Sequence, residues 1–342
     1  MAKQAAVTMS CLKYCSGLLI VGLCVVGFAR HLLQPRRVET PNITDTGWQS
    51  ATIKISPGVT YHYFAEGSPE LRGTHSDALI IDVDLRTKGV RVQLATDSPA
   101  RSKHGGVYGE AHTVLDWCKL NHAIGGINGG YFGASDGSRK QIEGLLIADS
   151  EVLAIGSRIR STRKVGESYV RCALGFDTFG KPRIGWATAS HQPALQIYTS
   201  PLSRNISRTV RVSSGVSCGP RLVANSEIHI TDRQERLVSE PALPRTFVAY
   251  DVASDARHTP VHMVIGIGME LTYADTAQFL MHYFKNMHAA KCAEAMCLDG
   301  GASSQLVFAT PVGDGNEKRA RTLVDTRPSL VTVPTALLVE CH

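Results

Sequence analysis

The sequence predicts an α+β fold, a mixed, mostly β domain with a few helices packed on the sheet. From residue 51 onward, short runs rich in Val and Ile alternate with Gly, Pro, Asp and Asn, which is typical of short strands joined by turns. Helical periodicity is convincing in only two places. With 342 residues and 43% hydrophobic content, the chain is long and apolar enough to bury a substantial core.

The first element, residues 1–33, is predicted to be a signal anchor or a cleaved signal peptide. Residues 16–29 are almost wholly apolar, a run at the short end of what crosses a bilayer. Basic residues precede the run, as in both kinds of export signal, and a buried helix is the third alternative. Membrane contact is therefore predicted through residues 14–33. The rest of the chain is expected outside the cytoplasm, membrane-anchored or secreted, in the periplasm or cell envelope if the chain is bacterial.

The charge distribution argues against nucleic acid as a partner. The formal net charge is +6, but residues 1–37 contain basic and no acidic side chains. The remainder holds 31 basic against 30 acidic residues, so the folded part lacks the one-sided basic surface of a nucleic-acid binder. Residues 34–50, with two prolines and a glycine, are predicted to be a linker, and residues 51–342 one domain.

The domain is predicted to consist mainly of strands, with two helices between them. The clearest strand runs are residues 78–85, 90–96, 144–156, 172–177, 246–252 and 261–268. One helix is predicted over residues 112–123. The second runs from Thr272 to about residue 290, where apolar side chains recur at steps of four and three, and Thr272 and Asp275 form a capping box.

Six cysteines lie beyond the N-terminal segment, an even number that permits disulfides. Free buried thiols are the alternative, and Cys292 and Cys297 are close enough in sequence for a local bridge. Because no Cys-x-x-Cys pair occurs, a zinc site made of cysteines is not predicted. The six are Cys118, Cys172, Cys218, Cys292, Cys297 and Cys341.

Each predicted helix leads to a short apolar run that ends in a polar residue and two glycines. Such paired glycines allow backbone amides to approach an anion, although two ordinary turns explain the pattern as well. If both runs are strands, the loops after them are candidates for one ligand site. The two segments are Asn128-Gly129-Gly130 and Asp299-Gly300-Gly301, the latter followed by Ser303 and Ser304.

Several familiar catalytic motifs are absent from the sequence. The run Gly301-Ala302-Ser303-Ser304-Gln305 resembles a nucleophile elbow, but that motif needs Gly at position 305. Neither a dinucleotide-binding glycine fingerprint nor a phosphate-binding Walker loop occurs, and the 13 histidines are scattered. No metal site and no cofactor are predicted.

The remaining chemistry comes from two carboxylates and an arginine. Asp299 lies between an apolar run and a glycine pair, a position that also suits a turn or a helix cap. Glu143 precedes Gly144 and a strand, and the alternative is a solvated loop residue. Arg245 precedes another strand, and its forked guanidinium suits a phosphate, with an ion pair as the alternative.

These residues lie in segments that resemble the phosphodiester glycosidase family, which includes N-acetylglucosamine-1-phosphodiester alpha-N-acetylglucosaminidase and bacterial envelope proteins. The resemblance spans roughly residues 55–340 and is most specific at 127–132 and 298–304. Departures from the family pattern are Ala302, Cys218 and the pair Asn225-Ser226. The matching segments are AIGGINGGYF, IEGLLIADSEV, VSCGPRLVANSEI, LPRTFVAYD, ELTYADTAQFL, CLDGGASSQLV and RPSLVTVPTALLV.

The resemblance implies hydrolysis of the bond between a sugar C1 and its phosphodiester oxygen, with a phosphorylated glycan or sugar-1-phosphodiester as the substrate. Asp299 is assigned as nucleophile or general base, and Glu143 as the second carboxylate. Substrate binding is assigned to Arg245 at the phosphate and to the other polar or glycine residues of the two loops. These are Asn128, Gly129, Gly130, Gly300, Gly301, Ser303 and Ser304.

Two other functions stay open from the sequence. A non-catalytic envelope protein that binds phosphoglycans would keep the arginine and the glycine loops but would not depend on Asp299. A metal-dependent phosphodiesterase would break the P–O bond instead, with Asp299 and Glu143 as cation ligands.

Overall fold

The computed structural model describes residues 50–103, 106–156, 159–160, 168–237, 241–255, 257–310 and 322–342. The predicted export signal at 1–33 lies outside the described residues, and so does the predicted linker at 34–50 except for Ser50. Residues Asp45–His342 group into one folded unit. None of the helices in the described ranges combines the length and apolar character that a membrane crossing requires.

The described chain is built mainly from strands. Its two α-helices are α1 (Val114–Leu120) and α2 (Tyr273–His288), and short 3₁₀ turns lie at Pro69–Leu71 and Gly301–Ser303. The strands, in chain order, are β1 (Ser50–Ser56), β2 (Val59–Phe64), β3 (Ala78–Asp84), β4 (Val90–Arg101), β5 (Val107–Glu110), β6 (Gly125–Asn128), β7 (Phe132–Asp136), β8 (Arg139–Ile142), β9 (Leu145–Ala148), β10 (Glu151–Ile155), β11 (Ile159–Arg160), β12 (Ser168–Tyr169), β13 (Cys172–Phe176), β14 (Pro182–Ala189), β15 (Ala194–Tyr198), β16 (Ile206–Arg211), β17 (Ser214–Cys218), β18 (Arg221–Ala224), β19 (Glu227–Ile228), β20 (Leu243–Val252), β21 (Pro260–Leu271), β22 (Glu294–Cys297), β23 (Leu306–Ala309), β24 (Leu323–Asp325) and β25 (Thr335–Cys341).

The strands form three large antiparallel sheets and one two-stranded ribbon, β11-β12. Sheet I has the order β1-β2-β3-β21-β20-β22-β18-β19, and sheet II has the order β24-β23-β6-β25-β4-β5-β8-β7. Sheet III has the order β10-β9-β17-β13-β14-β15-β16. The two strands that lead to the glycine pairs, β6 and β22, therefore belong to different sheets.

One apolar core joins all three sheets. It contains Ile81 and Met296 from sheet I, Ile127 and Leu337 from sheet II, and Trp186 from sheet III. Because side chains alternate across a strand, β3 buries its two faces in different clusters. Its Ile81 faces this shared core, whereas its Ile80 faces helix α2.

The two helices cover outer faces of sheets I and II. Helix α2 packs its Phe279, Leu280, Tyr283 and Phe284 against sheet I, and α1 packs Trp117 and Cys118 against sheet II. Both helices fall where the sequence predicts them.

The N-terminal cap and most of the apolar stripe of α2 are confirmed. Thr272 accepts from the Asp275 amide and the Asp275 side chain accepts from the Thr272 amide, which is the predicted capping box. Met287 continues the same spacing and is therefore predicted to be buried, but it is 43% exposed. It lies in the last turn of α2, beyond the surface that sheet I covers.

The prediction of a mostly β domain with a few helices is confirmed in its main feature. Strands account for 52% and helices for 11% of the structure, which is closer to an all-β than to an α+β architecture. Each predicted strand run forms strands, and residues 144–156 divide into the hairpin β9-β10 around Asp149 and Ser150, both at positive φ.

The six cysteines of the domain are free thiols in the structure, so no bridge joins Cys292 to Cys297. All but Cys341 are buried. Burial raises the pKa of thiols such as Cys172 and Cys292, which keeps them protonated and apolar in character.

Candidate active site

The two polar-Gly-Gly loops meet at one point, where β6 of sheet II and β22 of sheet I end. The Asp299 amide donates to the Gly129 carbonyl over 3.1 Å. The Asn128 side-chain amide donates to the Asp299 carbonyl over 2.7 Å. The loops that the sequence singles out are therefore hydrogen-bonded to each other, and Asp299 lies at the junction.

Asn128 holds this junction together from inside. Its side chain is 0% exposed. Besides its bond to Asp299, its Oδ1 accepts from the Thr246 hydroxyl over 2.9 Å and from the Gln305 amide over 3.1 Å. With both ends of the carboxamide bonded internally, the predicted hydrogen bond from Asn128 to the substrate does not fit this geometry. Asn128 positions the backbone of Asp299 instead.

Gly129 and Gly130 are also used for packing. Their amides donate to the Thr335 carbonyl and hydroxyl over 2.9 Å and 3.1 Å, so they are not free for a phosphate. A Cβ at Gly129 would lie 2.3 Å from Thr335 Oγ1, and one at Gly130 would lie 2.7 Å from a Val216 methyl carbon. The predicted anion cradle at this loop is therefore wrong for its amides, because β25 and β17 already occupy that space.

The glycines of the second loop have different surroundings. Gly301 has a φ of +63°, and a Cβ there would have no heavy atom within 4 Å. Gly300 is tighter, since its Cβ would lie 2.8 Å from the Pro244 carbonyl oxygen. The open side of the junction is thus on the Gly301 side of Asp299, which fits the predicted binding surface there.

The side chains of the three polar residues after the second glycine pair, Ser303, Ser304 and Gln305, have different surroundings. Ser303 is buried with its side chain facing the Asp299 carboxylate. Ser304 is fully buried, and its Oγ has no hydrogen-bond partner within the part of the chain that the structure describes. Gln305, the residue that argues against a serine elbow, accepts from the Val114 amide over 3.0 Å and so fixes the start of α1. Of the two serines, only Ser303 adjoins the carboxylate.

Asp299 is the electrostatic centre of the junction. Burial raises the pKa of its carboxyl group to about 6, while the Ser303 side chain and the Gly300 amide favour the ionised form. The negative charge of Glu143 raises this pKa further, and the positive charge of Lys140 lowers it. The two predicted carboxylates therefore interact, as a paired catalytic site requires.

Glu143 lies in the turn between β8 and β9, next to the site. Its amide donates to the Tyr131 carbonyl over 3.0 Å, which ties this turn to the first loop. Its side chain is exposed and passes close to Gly133, where a Cβ would lie 2.8 Å from Oε1. Asp299 is half-buried and Glu143 exposed, so the two carboxyl groups of the pair differ in their environment.

Lys140 is a cation of the site that the sequence reasoning missed. Its Nζ donates to the Thr332 carbonyl over 2.6 Å and lies 4.5 Å above the Phe132 ring. Burial lowers its pKa, and the charge of Asp299 opposes that shift. The only sequence feature that could have indicated Lys140 is its position three residues before Glu143.

Arg245 lies behind the junction and is 6% exposed. Its Nε donates to the Leu271 carbonyl and its Nη2 to the Pro241 carbonyl, both over 3.0 Å. The guanidinium carbon lies 4.0 Å from the centre of the Tyr273 ring. The structure therefore holds the predicted phosphate ligand in a buried position, with part of its donor set already in use.

Two further arginines adjoin the loops. Arg327 donates from Nη1 to the Gly301 and Ser304 carbonyls over 2.8 Å and 3.0 Å, which braces the second loop from below. Arg171 lies beside Tyr131, the residue after the first glycine pair, at 5.5 Å from its ring centre. Neither was predicted, because each comes from a distant part of the sequence. Within the described ranges, no cluster of three or more His, Cys, Asp or Glu side chains could hold a metal.

A family model described as phosphodiester glycosidase matches residues 121–340. The chain belongs to the phosphodiester glycosidase family. This confirms the resemblance that the motifs indicate, and the matched region contains both loops, both carboxylates and all three arginines of the site. Membership supports a glycosidase-type hydrolase that acts on phosphodiesters.

Three solved structures are similar to this chain at low sequence identity, and the first of them shares its fold. A hypothetical protein from Synechocystis matches with a TM-score of 0.55 and 13% identity, over 89% of this chain and 64% of that one. The chain thus spans less than two thirds of that protein. The zebrafish N-acetylglucosamine-1-phosphodiester alpha-N-acetylglucosaminidase catalytic domain, auto-inhibited by its pro-peptide, matches with a TM-score of 0.48 and 18% identity, over 86% of this chain and 89% of that one. A putative exported protein from Burkholderia pseudomallei matches at 0.40 and 14%, over 78% and 74%.

Comparison with curated proteins gives no match at the sequence level. The membership of the chain in its family therefore rests on the family model, and the Synechocystis structure shows its fold.

Proposed function

We propose that this phosphodiester glycosidase hydrolyses the bond between the anomeric carbon of a sugar and the oxygen of its phosphodiester, releasing a free sugar and a phosphomonoester. The observation that carries the proposal is the Asp299 carboxyl group, half-buried at the loop junction, with a pKa raised to about 6 and with Glu143 beside it. A pKa in this range suits a group that exchanges protons near neutral pH.

Asp299 acts as nucleophile or general base in this proposal. Cleavage at C1 develops positive charge on the sugar ring, which a neighbouring carboxylate stabilises or attacks. The backbone of Asp299 is fixed by Asn128 and by Gly129, so the carboxylate is held in place before the substrate arrives. Glu143, on the separate β8-β9 turn, supplies the second carboxylate.

The leaving group determines what the cations do. A phosphodiester is already acidic, so its departure needs little protonation but benefits from positive charge nearby. Lys140 interacts with Asp299 and so places positive charge close to the carboxylate. The zebrafish relative is described as acting on an N-acetylglucosamine-1-phosphodiester. A sugar-1-phosphodiester is accordingly the substrate class proposed for this chain.

Hydrolysis of sugar-1-phosphodiesters in oxygen-18 water tests the reaction. Attack at C1 places the label in the released sugar, which is the expected result. Label in the phosphate would overturn the proposal in favour of P–O cleavage, and sensitivity to a chelator would then indicate a metal-dependent phosphodiesterase. Binding without turnover across a panel of sugars would identify a phosphoglycan-binding protein. An Asp299→Asn sample purified in the same way measures the background from contaminating hydrolases.

Export is a separate proposal, supported by the apolar run at residues 16–29 and the basic residues before it. The full chain and a version without residues 1–33 are expressed in the same host, and protease is added to cells stripped of any outer membrane and wall but with the cytoplasmic membrane intact. We expect digestion or release of the full chain, with the shortened chain protected inside. Equal protection of both would contradict export.

A further inference from the structure

We propose that Arg171 binds the phosphate group of the substrate beside Asp299, with Arg245 as a buried and largely fixed neighbour. This inference rests on the proposed function for its substrate class. It does not follow from the sequence, where Arg171 is simply the residue before an apolar strand.

Three contacts hold the Arg171 side chain in place. Its Nη1 donates to the Glu235 backbone carbonyl over 2.6 Å. Its guanidinium carbon lies 5.5 Å from the ring centres of both Tyr131 and Tyr169. Aromatic rings support a guanidinium on its flat faces and leave its N–H edges for an acceptor. The side chain is half-buried, so these edges remain accessible.

Burial raises the pKa of Glu235 and the charge of Arg171 opposes that shift, so the two side chains interact. Among the described residues, however, no carboxylate forms a direct ion pair with the Arg171 guanidinium. The nearby Glu235 carboxylate is used elsewhere, accepting from the Cys172 amide over 2.8 Å, the Thr231 hydroxyl over 2.6 Å and the Arg221 amide over 3.2 Å. Arg183 on the adjacent strand β14 differs, because it pairs with Asp177 at 3.1 Å. A held guanidinium with donors to spare is what a phosphate oxygen pair requires.

Arg171 is connected to the catalytic carboxylates through Tyr131. The Tyr131 carbonyl accepts from the Glu143 amide, and the Tyr131 hydroxyl donates to the Gly219 carbonyl over 2.7 Å. Burial raises the pKa of the Cys218 thiol, the charge of Asp299 raises it further and that of Arg171 lowers it, so both groups lie near this thiol. Contact with Tyr131 places Arg171 next to the loop that is hydrogen-bonded to Asp299.

Arg245 is less suited to the same task. It is nearly inaccessible, and two of its nitrogens already donate to carbonyls. A side chain that binds phosphate has to exchange water for the substrate at each turnover. The half-buried Arg171 can do so with less movement of its surroundings than the buried Arg245. Arg245 then contributes charge from behind the Tyr273 ring.

Phosphate binding by the full chain tests the assignment, with inorganic phosphate as the probe in titration calorimetry. Loss of one charge-assisted contact is worth roughly 1.5–3 kcal/mol, so Arg171→Gln should weaken phosphate binding by about 10- to 100-fold. Arg211→Gln, an exposed arginine on the edge strand β16, is the matched control and should bind like the wild type. Arg171→Lys keeps the charge without the fork and should fall between the two.

Unchanged affinity in Arg171→Gln overturns the proposal, and so does a wild-type protein that does not bind phosphate. If Arg171→Gln does not fold, Arg171→Lys decides, and equal affinity to the wild type contradicts the assignment. Kinetics separate this inference from the reaction itself. With Arg171→Gln, KM for a sugar-1-phosphodiester should rise by a larger factor than kcat falls. Arginine-dependent phosphate binding without any hydrolysis would refute the reaction but not the phosphate site.

Discussion

The two glycine pairs of the site follow the same sequence pattern but have opposite surroundings. Gly129 and Gly130 are enclosed, with their amides bonded to Thr335 and no room for a side chain. Gly301 faces open space at positive φ, next to the carboxylate of Asp299. The first loop is therefore a packed structural element, and the second carries the carboxylate that is proposed to react. The sequence alone suggests instead that the two loops contribute equally to a phosphate site.

The difference follows from where the loops lie in the fold. The first loop leaves β6, a central strand of sheet II, and packs against β25 and β17 on either side. The second leaves β22 and makes a 3₁₀ turn at the surface, with Arg327 bracing its carbonyls. Substitutions that fill the space at each glycine should thus have unequal effects on the free energy of unfolding.

The largest effect on stability is expected from Gly129→Ala. Its Cβ would lie 2.3 Å from Thr335 Oγ1 and 2.9 Å from the Thr335 carbonyl carbon, so β25 has to shift. We expect a loss of about 3 kcal/mol or more in urea unfolding. Gly137→Ala is the control, since a Cβ there would have no heavy atom within 4 Å and only its positive φ of +62° is penalised, by about 1 kcal/mol. Equal stability of the two variants would contradict the packed role of the first loop.

Asn128→Ala should have the next largest effect. It leaves the Asp299 carbonyl, the Thr246 hydroxyl and the Gln305 amide without their shared partner. We expect a loss of about 2–3 kcal/mol, because buried polar groups left unpaired keep their desolvation cost. Turnover should fall as well, with KM changed little, because the backbone of Asp299 loses its anchor. Asn286→Ala, which removes an exposed hydrogen bond to Glu70, is the control. A raised KM with unchanged kcat would favour direct substrate binding by Asn128.

Asp299→Asn should stabilise the protein above pH 6. Burial raises the pKa of Asp299 from 3.8 to about 6, so the folded protein binds this proton more tightly than the unfolded chain. Wild-type stability therefore falls as the pH rises between these values, and the ionised group costs on the order of 2 kcal/mol at neutral pH. The variant should be more stable than the wild type at pH 7.5, and this difference should vanish near pH 3.5. Equal destabilisation at both pH values would refute this account of the burial of Asp299.

The smallest effect is expected from Gly301→Ala. Nothing within 4 Å would touch its Cβ, so only the left-handed backbone is penalised. We expect a loss of about 1 kcal/mol in the same urea unfolding series. A loss as large as that of Gly129→Ala would mean that the second loop is packed as tightly as the first.

Much of the fold and the identity of the two loops are predictable from local sequence. Strand runs, the capping box of α2 and the polar-Gly-Gly segments are short-range patterns, and all of them appear in the structure. The pairing of Asp299 with Glu143 follows from the family resemblance.

The partners of each group are not predictable in this way. Thr335, which accepts from the Gly129 and Gly130 amides, is about two hundred residues away in sequence. Gln305, which in the sequence argues against a serine elbow, accepts from the first amide of α1 in the structure. Lys140 enters the site through the pairing of β8, and Arg171 through its contacts with Glu235 and Tyr131. Glycine and arginine patterns therefore indicate where a site lies, while the long-range contacts decide which groups remain free to act.

The turnover number of Asp299→Asn is the most direct test of the central claim, that the chemistry is carried by the Asp299 loop. The variant is compared with Asp149→Asn, an equal change at the exposed tip of the β9-β10 hairpin, using a sugar-1-phosphodiester that the wild type hydrolyses. Loss of a catalytic acid-base group typically costs 10²–10⁴-fold, so we expect kcat of Asp299→Asn to fall at least about 100-fold, with folding and phosphate binding intact. Asp149→Asn should match the wild type. A folded Asp299→Asn protein with wild-type turnover would contradict the account.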